Sequence, residues 1–138
     1  MTLLGVDFGF KRIGLAVTES EVGLPAALPA IAASGALRKD ASKIVELARQ
    51  KGAIAIVLGL PVEEDGEEGR MAKICRQLGD LIQGLGLVVH FVDEGLTSVT
   101  AESQMREAGL KASLRKRRRD GEAAALILER FLNESKNR

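Results

Sequence analysis

The stretch LLGVDFGFKRIGLAVT, residues 3–18, decides the fold. Its two apolar runs, Leu3 to Phe8 and Ile13 to Thr18, read as strands, and Gly9 to Arg12 leave room only for a tight connection between them. Glycine at positions 9 and 14 suits a hairpin whose backbone needs positive φ or close approach by another segment. An antiparallel pair therefore opens a sheet. Inside it Asp7 stands between the apolar residues Val6 and Phe8. A carboxylate there is costly unless a metal ion, an arginine or a backbone cap at the turn compensates it.

Working outward, Leu28 to Ala33 predicts a third strand, although its alanines weaken the signal. Leu37 to Lys51 has a helical period and is stopped by Gly52. The continuous apolar run AIAIVLGL, residues 53–60, predicts a strand buried on both faces of a parallel sheet. Pro61 to Glu68 reads as an acidic loop, and Glu68 to Leu85 as a helix with Met71, Ile74, Cys75, Leu78 and Leu81 along one stripe. Leu87 to Val92 is the next strand, and a helix runs from Thr97 to about Ala108. Leu110 to Arg119 is too basic to pack and is expected to be disordered without a ligand. The last helix is expected over Gly121 to Glu134, opened by Asp120. This order predicts an α/β fold: a mixed five-stranded sheet, an antiparallel meander followed by parallel strands, with helices on both faces.

A chain of 138 residues, 46% of them hydrophobic, fits a single domain over residues 1–138. Aromatic residues make up 3% with no Trp or Tyr, so a wide platform for stacking bases is absent and any nucleic acid must be held through phosphates and shape. A net charge of +1 argues against nonspecific coating of nucleic acid, yet Arg115, Lys116, Arg117, Arg118 and Arg119 are consecutive and can attract a polyanion locally. Cys75 is the lone cysteine, which excludes an internal disulfide or a cysteine metal cluster. With neither a signal-type leader nor an apolar run of membrane length, a reducing, cytoplasmic location is expected.

The residues able to carry chemistry are acidic. Asp93 and Glu94 follow the strand ending at Val92, where sites gather in open sheets, although either could cap the next helix. Asp120 suits an N-cap, with its charge at the positive end of a helix dipole. The combination points elsewhere. Two carboxylates about 4 Å apart repel by about 4 kcal/mol at an effective dielectric near 20, so three gathered together imply a divalent ion. Oxygen-only ligands favour Mg2+ or Mn2+ over zinc, and such ions can activate water toward a phosphodiester.

Four segments, DFGFKRIGLA at 7–16, GLP at 59–61, DEGLTSVTAE at 93–102 and RRRDGEAAALIL at 117–128, resemble the YqgF/RuvX family in order and spacing. That family is described as candidate Holliday junction resolvases and pre-16S ribosomal RNA nucleases. The resemblance covers nearly the whole chain. It implies a ribonuclease H-like fold, metal ligation by Asp7, Glu94 and Asp120, and nucleic-acid contact by the basic stretch before Asp120. The implied substrates are precursor ribosomal RNA, at its 5' end, or branched DNA. One departure stands out: the arginine usual after the family's Asp-Glu pair is Gly95 here, which is expected to weaken substrate grip or turnover if that arginine normally holds a phosphate or pairs with a carboxylate.

Lys11 and Arg12, at the hairpin beside Asp7, are candidates for phosphate contact, against the alternative of a solvated tip. Thr97 and Ser98 could donate to a phosphate or cap a helix. His90 reads as buried in a strand pattern, core or sheet surface, and not catalytic. A different class of function, a catalytically weak nucleic-acid-binding module acting with a ribosome-assembly or DNA-repair partner, draws its support from Gly95. A third reading, an ATP-binding phosphate loop of sugar-kinase type, needs a second domain for which the chain has no room. The protein is expected to be a monomer or a homodimer.

Overall fold

A computed structural model of the chain describes residues 1–19, 24–61, 69–93 and 112–136, with side chains of the last helix described over 120–134. The strands are β1 (Leu3–Phe8), β2 (Arg12–Thr18), β3 (Ala26–Ala32), β4 (Ala55–Leu60) and β5 (Val88–Asp93). The helices are α1 (Leu37–Gln50), α2 (Arg70–Gly84) and α3 (Ala112–Lys136). The strands form one five-stranded sheet in the order β3-β2-β1-β4-β5, with β1 in the middle. β1 pairs antiparallel with β2 and parallel with β4, and β4 pairs parallel with β5. The expected meander followed by parallel crossovers is what the chain forms.

Strand alternation divides the sheet into two faces. Leu4, Val6, Phe8, Ile13, Leu15, Ile56, Leu58, Leu60 and Val89 pack with Ile44, Val45 and Ala48 of α1 and Ala72, Cys75, Leu78 and Ile82 of α2. On the opposite face Leu3, Ala16, Ala55, Val57 and Val92 pack with Ala124, Ile127, Leu128 and Leu132 of α3. β4 is buried along its whole length because it faces helices on both sides. That is why its apolar run is unbroken where a one-sided strand would alternate.

β3 lies at the rim of the sheet, where Pro29 is tolerated because a missing N–H matters least there. The β2–β3 register slips by one residue between Ile13 and Leu15, the stretch that Pro29 and Ala30 face.

The last helix departs from the sequence expectation. Residues 112–119, expected to be disordered, are the first turns of α3, and Asp120 is inside the helix rather than opening it. Arginine and lysine are good helix formers, so a basic run can join a helix that already has a packing face. Gly121, which looks like a boundary in the sequence, is the point where α3 crosses β3: a β-carbon there would lie 2.9 Å from the Ala27 β-carbon and 3.2 Å from the Leu28 carbonyl oxygen. Two glycines of the sheet complete this seam. A β-carbon at Gly5 would lie 2.6 Å from Leu128 Cγ, and one at Gly14 would lie 2.1 Å from the Asp120 carbonyl oxygen. Side chains at any of the three would lift α3 off the sheet. The loop from Pro61 to Glu68, apart from Pro61, and the helix from Thr97 to Ala108 lie outside the described residues.

Candidate active site

Asp7 is the next-to-last residue of the central strand, half-buried on the face that carries α3. Its antiparallel register partner is Gly14. Because Gly14 has no side chain, the backbone of Asp120 rests directly on it, with the Asp120 Cα 3.1 Å from where a β-carbon would be. Two carboxylate-bearing residues 113 positions apart (120 − 7) are thereby brought to one end of the sheet. The glycine is what allows it.

Arg12 stands two residues before Gly14 and so on the same face of β2. Its Nε donates to Asp120 Oδ2 at 2.6 Å, with side-chain exposures of 34% for the arginine and 15% for the aspartate. A short charge-assisted bond of this kind fixes the carboxylate's orientation and offsets its charge beside Asp7. The hairpin is held on both sides: Gly9 N–H donates to the Arg12 carbonyl and Ala33 N–H to the Lys11 carbonyl, each at 3.0 Å. Asp120 is therefore tied by its side chain to β2, not used as a helix cap.

β4 and β5 run parallel to β1, so Leu60 and Asp93 end at the same end of the sheet as Asp7. There α3 also holds β5, since Arg130 Nη1 donates to the Asp93 carbonyl oxygen. The rings of His90 and Phe131 meet with centroids 4.8 Å apart. His90 is exposed on the sheet surface rather than buried. Glu94 follows Asp93 directly and lies outside the described residues, as do Gly95, Thr97 and Ser98.

The donor chemistry at this end fits a hard divalent cation. Asp7 and Asp120 supply oxygen, while Cys75 is buried on the opposite face among the α1 and α2 contacts. Among the described residues no group of three potential ligands is assembled, and the expected third carboxylate, Glu94, is not among them. With Arg12 in place, the site combines an acidic pair with one fixed cation, a setting suited to a phosphate ester that must be both bound and polarised.

The family described as RuvX, Holliday junction resolvase, matches residues 1–134. This chain belongs to the RuvX family. A relative from Endomicrobium trichonymphae, named as a candidate pre-16S rRNA nuclease, is 38% identical over 95% of this chain and 94% of its own length. Another of the same name, from Anaeromyxobacter dehalogenans (strain 2CP-C), is 37% identical over 96% of this chain and 97% of its own. Among solved structures, T. thermophilus RuvC in complex with Holliday junction substrate aligns with a TM-score of 0.60 at 15% identity, covering 98% of this chain and 96% of that one. At that identity the likeness speaks for the fold, and the fold is the ribonuclease H-like one that the resemblance implied.

Of the residues singled out in this RuvX-family sequence, Asp7, Arg12 and Asp120 are brought together. Lys11 is exposed at the hairpin tip beside them. Arg115 to Arg119 lie on α3, immediately before Asp120. Sequence reasoning did not identify Gly14 as the seat of Asp120, Arg12 as its partner, or Arg130 as the tether of β5. The glycine did carry a usable signal, since close approach was one of the two reasons to expect it; the φ of Gly14 is not positive.

Proposed function

We propose that this chain is a metal-dependent nuclease that hydrolyses phosphodiester bonds in structured nucleic acid, with Asp7, Glu94 and Asp120 as its metal ligands. The observation that carries the reading is the meeting of Asp7 and Asp120 across Gly14, with Arg12 bonded to Asp120. Glu94, the third ligand that the resemblance to the family implies, follows Asp93 directly in the sequence and lies outside the described residues. The family's description and its relatives' names support the same chemistry.

A bound Mg2+ or Mn2+ would supply Lewis acidity and a water acidic enough to attack phosphorus near neutral pH. The chain's own residues do the rest. Asp7 and Asp120 would hold that ion and, through it, set where the scissile phosphate lies relative to the sheet end, and Arg12 keeps the Asp120 carboxylate in one orientation. The basic run approaches the same place along α3. By helical period, positions 116 and 117 are four and three residues before Asp120 and share its stripe, whereas position 118 does not. Lys116 and Arg117 are therefore the members of the run assigned to phosphates near the centre, with Lys11 on the other side; Arg115, Arg118 and Arg119 contribute to the surrounding field. Thr97 is a further candidate contact.

The substrate we favour is precursor 16S ribosomal RNA at its 5' end, with the four-way DNA junction as the other candidate. The chain would act as a single domain, in the cytoplasm, as a monomer or homodimer. Among the described residues no helix is long and apolar enough to cross a membrane. The test is incubation of both substrates with Mg2+ or Mn2+. Metal-dependent product from either one, abolished by EDTA, is the expected result. Tight binding to both with no product under any metal would favour the catalytically weak binding module and overturn the nuclease.

A further inference from the structure

The guanidinium of Arg12 is committed along one edge and open along another. Its Nε donates to Asp120 Oδ2 at 2.6 Å, and among the described residues its two terminal nitrogens make no hydrogen bond. A guanidinium carries five N–H groups in one plane, one on Nε and four on Nη1 and Nη2. A single bond through Nε therefore leaves four donors, and with the side chain 34% exposed a ligand can reach them. An open arginine edge is ordinarily hydrated and marks nothing by itself. Three observations give this one a use. The residue is held at both ends, since the Arg12 carbonyl accepts from Gly9 N–H at 3.0 Å and the side chain is tied to Asp120. The rotamer freedom that a long side chain loses on gripping a ligand has thus already been given up to the tether.

The tether, moreover, leads to a carboxylate of the proposed centre, and Asp7 stands on the same face of the sheet across Gly14. A phosphodiester brought to that place meets negative charge, and Arg12 is a cation already bonded within it. Finally, the chemistry needs a guanidinium. Lys11 is exposed at the hairpin tip beside it, but an ammonium offers one nitrogen, whereas a guanidinium can serve two anions along two edges. From this juxtaposition of a tethered Nε edge and an open Nη edge beside two carboxylates, we propose that Arg12 bridges Asp120 to the scissile phosphate, donating from Nη1 and Nη2 to its non-bridging oxygens while Nε keeps its bond to Asp120. The inference rests on the nuclease reading and deepens it: Arg12 becomes a substrate-binding residue as well as the group that orients Asp120. The ligand it calls for is a phosphate ester with two free oxygens, the geometry that an arginine fork matches.

Binding is measured without cleavage, in EDTA, by anisotropy of a labelled substrate strand across a salt series. Arg12→Ala should bind about 10-fold more weakly and reduce the slope of log affinity against log salt by about 0.7–0.9, the amount for one lost phosphate contact. Arg49→Ala removes the same charge from α1, on the other face of the sheet, and should leave affinity and slope unchanged. Arg12→Lys keeps the charge but has one nitrogen to divide between carboxylate and phosphate, so it should recover only part of the binding. A methylphosphonate at the bond that the parent cleaves replaces one non-bridging oxygen with a methyl group. It should weaken binding by the parent about 10-fold and binding by Arg12→Ala far less, because that contact is already gone. A displaced hairpin without the bridge would give the same methylphosphonate penalty in both proteins. Equal penalties, an unchanged slope in Arg12→Ala, or full recovery with lysine would overturn the bridge while leaving the nuclease intact. If the parent cleaves neither substrate with Mg2+ or Mn2+, the nuclease reading fails and the bridge to a scissile phosphate falls with it.

Discussion

The guanidinium Nε of Arg12 and the carboxylate Oδ2 of Asp120 are 2.6 Å apart although 108 positions separate the two residues in the chain. The contact joins the hairpin to α3 at the point where Gly14 lets the helix touch the sheet. A hydrogen bond to a charged group contributes more than a neutral one, but partial exposure of the pair discounts it. Arg12→Ala should therefore lower unfolding stability by about 1 kcal/mol, with an unchanged slope against urea. A double-mutant cycle with Asp120→Ala checks the pairing. Additivity of the two losses would show that the contact contributes nothing to stability.

Gly14→Ala tests the seat itself. The added methyl would meet the Asp120 carbonyl oxygen at 2.1 Å, and relief requires moving helix backbone, which costs about 1–3 kcal/mol. Cleavage should fall further than the folded fraction does, because the displaced residue is one of the proposed metal ligands. Gly84→Ala is the matching control. It lies in α2 with nothing within 4 Å of the added carbon, so stability should rise by roughly 0.4–1 kcal/mol with cleavage unchanged.

The contrast between β4 and α3 shows what the sequence can carry. The strand's apolar run is intelligible locally, since burial on both faces leaves no polar alternation to interpret. The start of α3 is not, because a basic run looks unpackable until one sees that packing further along the helix holds it. Asp120 illustrates the same limit: its residue type alone suits a cap, the resemblance to a family singles it out, and its contacts with Arg12 and Gly14 emerge only in the tertiary structure. Asp7 was legible as a charge between apolar neighbours that needs compensation, and the resemblance to a family supplied its partners. The tether from Arg130 to the Asp93 carbonyl had no signal, since any exposed helix arginine looks alike in sequence.

The basic run can be dissected by helical position. Lys116→Ala and Arg117→Ala should each reduce the slope of log affinity against log salt by about 0.7–0.9, the amount expected for one lost phosphate contact. Arg118→Ala should change it less, because position 118 lies off the Asp120 stripe. Affinities measured across a salt series would decide this. Equal effects at all three positions would mean that the run acts as a diffuse charge.

Arg130→Met removes the donor that holds the end of β5 while keeping much of the side chain's bulk. Stability should fall by at most about 1 kcal/mol, one hydrogen bond at an exposed position. Cleavage should fall by about 10-fold or more, since small displacements of catalytic groups are costly to rate. Parallel urea unfolding and initial-rate measurements separate the two effects. A rate loss no greater than the stability loss explains would deny Arg130 a positioning role.

The most direct test of the central claim is magnesium-dependent cleavage by Asp7→Asn, measured beside the parent protein on the same structured RNA and branched DNA. Removing one negative charge while keeping the side chain's shape should leave the circular dichroism spectrum unchanged and reduce product formation to background. Cleavage by that variant at the parent rate would contradict the account.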